Sequence, residues 1–304
     1  MPQDFAPATT AAISSRENPL IKQLHKLAHE GNAYRKLGHI WLEGEHLSSS
    51  FLLKWQAENA IETRAAQAGF SALNGRILPK KLIVAASYEA QLPQFLAHYG
   101  IALNGATLPC PVQLVADSLL PAISSLESPA PIGLLLEMAP EAAATAASAP
   151  LLTRQPTVLL DRLQDAGNVG AILRCAAAFG FRQIVAIKGS VGLWSPKVLR
   201  AGMGAHFGLQ LHELCDSTDT LAQLQALGLP LLATSSHQGD YLHQAQLPQP
   251  CAWLMGHEGQ GLSETWQAAA SGHIRIWQAA EESLNVATAA AICLHASAAQ
   301  AMLH

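Results

Sequence analysis

Between Trp253 and Ala291 the sequence places glycines, a carboxylate, a hydroxyl and an amide at spacings that suit a small-molecule site. A run that reads as a buried strand, Ala252–Met255, enters Gly256-His257-Glu258-Gly259-Gln260-Gly261. Glycines beside a strand end let a flat ligand approach the backbone, because no Cβ stands in the way. Ser283-Leu284-Asn285-Val286 then leads into an alanine-rich helix. Ser or Asn at such a start caps the helix and leaves N–H groups facing any neighbouring ligand. Each half alone reads equally well as tight turns or an ordinary cap. Upstream, Asn168 and Arg174 lie six residues apart at the start of another helix. Asn168 is expected to cap it, with Arg174 projecting from the second turn; the plainer reading is a cap and a surface arginine. A guanidinium keeps its proton, so Arg174 suits binding an anion better than abstracting a proton.

The elements that must hold these groups alternate between strand and helix. Thr157–Leu160 reads as a strand, followed by a turn and the helix opened by Asn168 and ending at Phe179-Gly180. Strands follow at Gln183–Ile187 and Leu231–Thr234, with helices from Ser195-Pro196 (carrying Lys197 and Arg200) and over Thr218–Leu227. A further apolar run spans His273–Trp277. Such alternation predicts an α/β fold with a parallel sheet and ligands at its carboxyl edge. No G-x-G-x-x-G follows the first strand, which argues against an ordinary dinucleotide-binding half.

The N-terminal part also alternates: strands are predicted at Ile40–Leu42, Leu82–Ala85, Val112–Val115 and Ile132–Glu137, with a helix over Phe51–Ala68. Leu20, Ile21, Leu24 and Leu27 fall at helical spacing after Pro19. The other face of that helix carries Lys22 and Lys26, with Arg35 and Lys36 beyond; from Arg16 to Lys36 there are five Lys/Arg against two Glu. Residues 1–12 read as a disordered tail. Residues 138–155, rich in Ala, Pro, Ser and Thr, read as a linker between a domain at 13–137 and one at 156–304.

The chain has 304 residues and a net charge of −4, so nucleic acid would have to be met by a local basic patch. The cysteines are odd in number, five, and widely spaced, which fits a reducing cytoplasm and argues against disulfides or zinc. No other metal motif is present, and His206, His212 and His295 read as structural. The N-terminus lacks the features of a signal peptide, and the apolar C-terminal run carries too many polar residues for a membrane span.

Taken in order, Asn168-x-Gly170-x-x-x-Arg174, Gly256-His257-Glu258-Gly259-Gln260-Gly261-Leu262-Ser263 and Ser283-Leu284-Asn285-Val286 resemble the three motifs of SpoU-type RNA methyltransferases of the SPOUT superfamily. The resemblance covers roughly residues 155–304. It implies a trefoil-knotted parallel sheet and transfer of methyl from S-adenosylmethionine to a ribose 2′-oxygen. The cofactor pocket would be built from Gly256, Ile276 and Leu284, with Thr234 and Ser235 lining it. Arg174 would bind phosphate and stabilise the alkoxide, Glu258 would orient Arg174 or Asn168, and Ser283 and Asn285 would position the ribose or relay its proton. Lys197 and Arg200 are candidate phosphate contacts.

The N-terminal part more loosely resembles the L30e-like α/β substrate-binding domain that precedes the catalytic domain in ribosomal-RNA enzymes. That points to large-subunit (23S) ribosomal RNA as substrate, with Lys22, Lys26 and Arg35 among the RNA contacts, and to a homodimer formed through the C-terminal domain. Where the family commonly has Ile-Pro-Met and a glycine, this chain has Ile276-Trp277-Gln278-Ala279-Ala280, one residue shorter before Ser-Leu-Asn. The alternatives are a tRNA 2′-O-methyltransferase and, prompted by that altered loop, a catalytically weak RNA-binding protein on the same fold.

Overall fold

The computed structural model describes residues 11–62, 77–101, 108–138, 151–235, 238–279 and 284–302. The chain divides into two compact units: Met1–Ala143 together with Trp194–Arg200, and Ala144–Leu193 together with Ala201–His304.

The first unit is built on a four-stranded sheet, β1 (His39–Glu43), β2 (Ile77–Ala85), β3 (Val112–Val115) and β4 (Ile132–Met138), in the order β1-β4-β2-β3. β4 runs antiparallel to both neighbours, while β2 and β3 are parallel. Gly133 on β4 lies beneath Trp41, where an added Cβ would stand 2.2 Å from the indole. The indole N–H donates to the Ile123 carbonyl at 3.0 Å. The basic helix is Pro19–His29; Asn18 caps it by accepting from the Leu20 N–H, and Ile21, Leu24, Leu27 and Ala28 are its buried stripe. The long helix runs over Glu45–Glu62, beginning six residues before the predicted Phe51. The Ser48 and Ser49 hydroxyls donate to the Gly44 and His46 carbonyls, which hides two polar residues inside a turn with no apolar period. The predicted continuation from 63 to 68, residues 1–10 of the predicted tail, and 139–150 of the predicted linker lie outside the described residues.

The second unit carries a seven-stranded sheet: β5 (Thr157–Asp161), β6 (Gln183–Ile187), β7 (Gln210–Cys215), β8 (Leu231–Ser235), β9 (Asp240–Tyr241), β10 (Ala252–Gly256) and β11 (Gly272–Arg275). Their order is β7-β6-β5-β10-β8-β11-β9, and every pairing is parallel. β5, β6 and β10 are buried at all five positions, as expected for central parallel strands covered on both faces. From β5 the chain moves outward through β6 and β7, then returns on the other side, so the order reverses at the β5/β10 pair. Crevices outside the carboxyl ends at such a reversal are where ligands bind in open α/β sheets. Leu151 is buried in this unit's core, and the Leu152 N–H donates to Gln183 Oε1 at 2.7 Å.

Two helices complete the frame. Ala166–Ala178 buries Val169, Gly170, Ile172, Leu173 and Ala176. The C-terminal helix Val286–Ala301 buries Ala290, Cys293, Leu294 and Ser297. Ser297 accepts from the indole N–H of the fully buried Trp253 at 2.9 Å, which ties that helix to β10. Among the described residues no helix is long and apolar enough to cross a membrane, and no cluster of three or more His, Cys, Asp or Glu could hold a metal ion.

Candidate active site

The carboxyl ends of β8 and β10, with His273 of β11 and the start of the C-terminal helix, border a cleft of about 940 Å³ in the second unit. Thr234, Ser235, Gly256, Glu258, Leu284 and Asn285 all line it. A recess of about 140 Å³ is bounded by Thr234, Ser235, Ile274, Ile276, Gln278 and Leu284. The five residues assigned to the cofactor on sequence therefore meet around these two hollows. β11 ends at Arg275, so Ile276 and Trp277 follow the strand instead of completing it. Gly256 sits against its own loop: an added Cβ would lie 2.3 Å from the Gly261 carbonyl carbon. The loop closes on itself through reciprocal His257–Gly261 backbone hydrogen bonds of 3.0 and 2.8 Å.

At the mouth, three sequence-distant residues form one hydrogen-bonded chain. Glu258 Oε1 accepts from the Asn168 side-chain amide at 3.2 Å and from the Asp165 N–H at 3.1 Å. Asn168 Oδ1 accepts from Asn285 Nδ2 at 2.9 Å. Asn285 Oδ1 accepts from the N–H groups of Ala287 and Thr288 at 2.9 and 3.2 Å, capping the C-terminal helix. Both amide orientations follow from the ends of this chain. A carboxylate only accepts and a helix N-terminus only donates, so each Asn has one satisfiable orientation. Partial burial pushes the Glu258 carboxyl up. Hydrogen bonds from its own N–H, the Asn168 amide and the Asp165 and Gln164 N–H groups outweigh that and hold it below the ordinary value.

Asn168 is not the helix cap. Asp165 is: its Oδ1 accepts from the Asn168 N–H at 2.7 Å. Asn168 thus lies in the first turn, and its side chain is free to reach Glu258. Arg174 is exposed, has no hydrogen-bond partner among the described residues, and is not part of the cleft wall. At about 100° per residue it points some 120° away from Asn168 around the helix. Ser283 lies outside the described residues.

The basic residues differ in what holds them. Lys22 pairs with Glu17 at 2.5 Å, while Lys26 and Lys197 are exposed. Arg35 donates to Asn32 Oδ1 at 3.0 Å, and within the first unit Arg200 donates to the Ser125 carbonyl and hydroxyl at 3.1 and 2.7 Å. These two guanidinium groups are therefore already engaged.

Sequence reasoning missed Asp161, Arg162 and His273. Asp161 ends β5 with its side chain 1% exposed and accepts from the Ser263 N–H at 2.7 Å. The available signal was a lone carboxylate closing an apolar run. Arg162 donates from Nε to Asp161 at 3.2 Å and from Nη1 to Gln260 Oε1 at 3.1 Å, bridging β5 to the glycine loop. Its φ of 60° lies in the left-handed region. His273 lines the cleft, and its Nε2 is buried with no hydrogen-bond partner among the described residues.

The family follows from the sequence matched to this frame. Residues 155–295 match the SpoU rRNA Methylase family. The second unit holds a SpoU methylase domain. Across 94% of its length the chain is 29% identical to a Synechocystis protein named as a tRNA/rRNA methyltransferase, covering 92% of it. It is 32% identical over 145 residues to the 23S rRNA (guanosine-2′-O-)-methyltransferase RlmB of Bordetella pertussis, a match spanning 47% of this chain and 59% of that protein. The SpoU methyltransferase AviRb of Streptomyces viridochromogenes, solved with AdoMet, superposes with a TM-score of 0.74 over 94% of this chain and 99% of that one. At 21% identity that is a likeness of fold. The domain at residues 155–295 is an RNA methyltransferase domain of the SpoU family, with S-adenosylmethionine as its methyl donor. The SpoU cleft suits that molecule: it is large enough, glycines line one wall, and Thr234, Ser235 and Asn285 bring polar groups to it.

The Arg162 bridge in the SpoU domain is testable by relieving its strain. A non-glycine residue in the left-handed region costs about 1–2 kcal/mol. The charge-assisted hydrogen bonds it enables are worth about 1.5–3 kcal/mol each in favourable cases. Arg162→Gly removes both; the two lost hydrogen bonds outweigh the relieved strain and leave the buried Asp161 carboxylate without its cationic partner, so thermal unfolding should shift to lower temperature. S-adenosylmethionine binding should weaken about threefold to tenfold as the loop loosens, a change of ~0.7–1.4 kcal/mol. Calorimetry giving equal affinities for the two proteins would remove Arg162 from the site.

Proposed function

We propose that this enzyme methylates a ribose 2′-oxygen in 23S ribosomal RNA, with the first unit as its RNA substrate-binding domain. The observation that carries the reading is the Glu258–Asn168–Asn285 chain, which joins three separate motifs at the mouth of the cleft. The names of the Bordetella relative and of the Synechocystis relative support the substrate class.

When bound, S-adenosylmethionine supplies an electrophilic methyl group. Thr234, Ser235, Gly256, Ile276 and Leu284 hold it. Glu258, kept as a carboxylate, orients Asn168, which in turn fixes Asn285 beside Leu284. Asn285 and Ser283 position the ribose and pass its proton outward. Arg174 binds the adjoining phosphate and stabilises the developing alkoxide as the proton leaves, which electrostatic preorganisation does at little cost during the reaction.

Arg174 stands outside the cleft of its own chain, so the site is completed by a second copy in a homodimer formed through the second unit. Ile292 on the C-terminal helix is 37% exposed, which leaves an apolar residue on that helix for such a contact. Five cysteines, all unpaired, fit a reducing cytoplasm. Mapping ribose methylation across total RNA from cells with and without the protein tests the reading. Loss of one 2′-O-methyl mark in 23S ribosomal RNA is expected, and loss of a tRNA mark instead would reassign the substrate.

RNA affinity is expected to rest partly on the helix Pro19–His29. Replacing Lys22 and Lys26 together with Ala should weaken RNA binding and flatten its salt dependence by about 0.7–0.9 per lost phosphate contact. Filter binding across a salt series reads both. Unchanged affinity and slope would make the helix a solvated face.

A further inference from the structure

The loop after β11 departs from the family pattern, and the structure shows what that departure exposes. Ile274, Ile276 and Gln278 all line the small recess. Alternation along extended backbone then directs Arg275 and Trp277 to the opposite side. Trp277 is 63% exposed, whereas Trp41, Trp194, Trp253 and Trp266 are each 7% exposed or less.

Arg275 is paired in register with Tyr241 of β9, the edge strand, and its guanidinium lies over the Tyr241 ring at 4.2 Å from the centroid. Arg275 Nε donates to the Gly239 carbonyl at 3.0 Å, which leaves the two Nη groups outward. The exposed His243 ring lies 5.6 Å from that of Tyr241. Gly239 holds this edge tightly: its φ is 98°, and an added Cβ would stand 1.9 Å from the His273 carbonyl oxygen. The Tyr241 and His243 rings and the Arg275 guanidinium therefore form a strip along this edge, with the exposed Trp277 two residues beyond Arg275, and none of the four lines the cleft.

We propose that Tyr241, Arg275 and Trp277 form a stacking surface for an unpaired base of the RNA substrate, with Arg275 meeting the adjoining phosphate. The proposal rests on RNA being the substrate and does not depend on which RNA is methylated. Aromatic faces accept any base, and a guanidinium beside them matches the phosphate backbone.

The test compares wild type with Trp277→Ala, Trp277→Phe and Arg275→Gln. Binding is measured to protein-free 23S ribosomal RNA and to a short oligoadenylate, beside calorimetry with S-adenosylmethionine and light scattering. Because binding is read directly, it does not depend on methylation occurring, and failure of the proposed reaction would not mimic failure of the surface. Trp277→Ala should weaken RNA binding about tenfold, or ~1.4 kcal/mol, with Trp277→Phe recovering most of it. Arg275→Gln should lower the salt slope by about 0.7–0.9. Cofactor affinity should be unchanged, since the indole faces away from the recess. RNA affinity unchanged in Trp277→Ala overturns the proposal. So does loss of cofactor binding alone, which would turn the indole toward the recess, or dissociation of a dimer with RNA affinity intact, which would make a second copy the occupant.

Discussion

Arg174→Ala should lower single-turnover methyl transfer by about 10²–10³-fold, the usual loss when one preorganised electrostatic contact to the transition state is removed. Cofactor binding should hardly change, because Arg174 does not line the cleft. Arg174→Lys keeps the charge but loses the planar fork, and should recover only part of the rate. Since the side chain is exposed and has no hydrogen-bond partner among the described residues, its action across a dimer is separable from action in place. Mixing Arg174→Ala with Glu258→Ala protein creates hybrid dimers in which one site has both residues. Recovery of activity on mixing supports the crossed arrangement, and an Arg174→Ala protein as fast as wild type would falsify the assignment altogether.

Glu258→Gln should cost about 10²-fold in methyl transfer, the scale of a roughly 1 Å misplacement at a reacting centre. The substitution nearly preserves volume but places an N–H donor where the Asn168 amide and the Asp165 and Gln164 N–H groups already donate. Asn168 then loses its fixed orientation, and Asn285 with it. Cofactor affinity should fall less than the rate. The pH dependence has a definite sign. The folded carboxyl sits below its unfolded value, so its stabilising contribution is complete above the ordinary value of 4.5 and is lost as pH falls through the lower folded value. Protonation of Glu258 therefore does not limit activity near neutrality, and a Gln variant as fast as wild type at pH 7 would contradict its orienting role.

Much of the second unit was legible because its central strands are continuous apolar runs: β6 spans the predicted Gln183–Ile187, and β5 and β10 extend one residue past theirs. β9 was not, since Asp240-Tyr241 is a two-residue edge strand with no apolar signal of its own. The cap of Ala166–Ala178 was misread because Asp165 and Asn168 are both good cap residues, and the choice is made by Glu258, ninety positions away. Asn285, by contrast, precedes an alanine-rich helix whose nearest rival, Thr288, is a weaker cap residue. The Arg162 bridge could not be read at all: left-handed backbone and a partner on another loop leave no trace in local sequence. The basic cluster was visible as a count, but the count does not reveal that Lys22 pairs with Glu17 and Arg35 with Asn32.

The central claim, ribose methylation of 23S ribosomal RNA from the SpoU cleft, is tested most directly by following the methyl group. Purified protein is incubated with methyl-labelled S-adenosylmethionine and protein-free 23S ribosomal RNA, or with total tRNA. The RNA is then digested to nucleosides for mass spectrometry. The account predicts label in a single 2′-O-methylnucleoside from 23S ribosomal RNA, greatly reduced with Arg174→Ala and Glu258→Gln. Label on a base, or label only in tRNA, would contradict it.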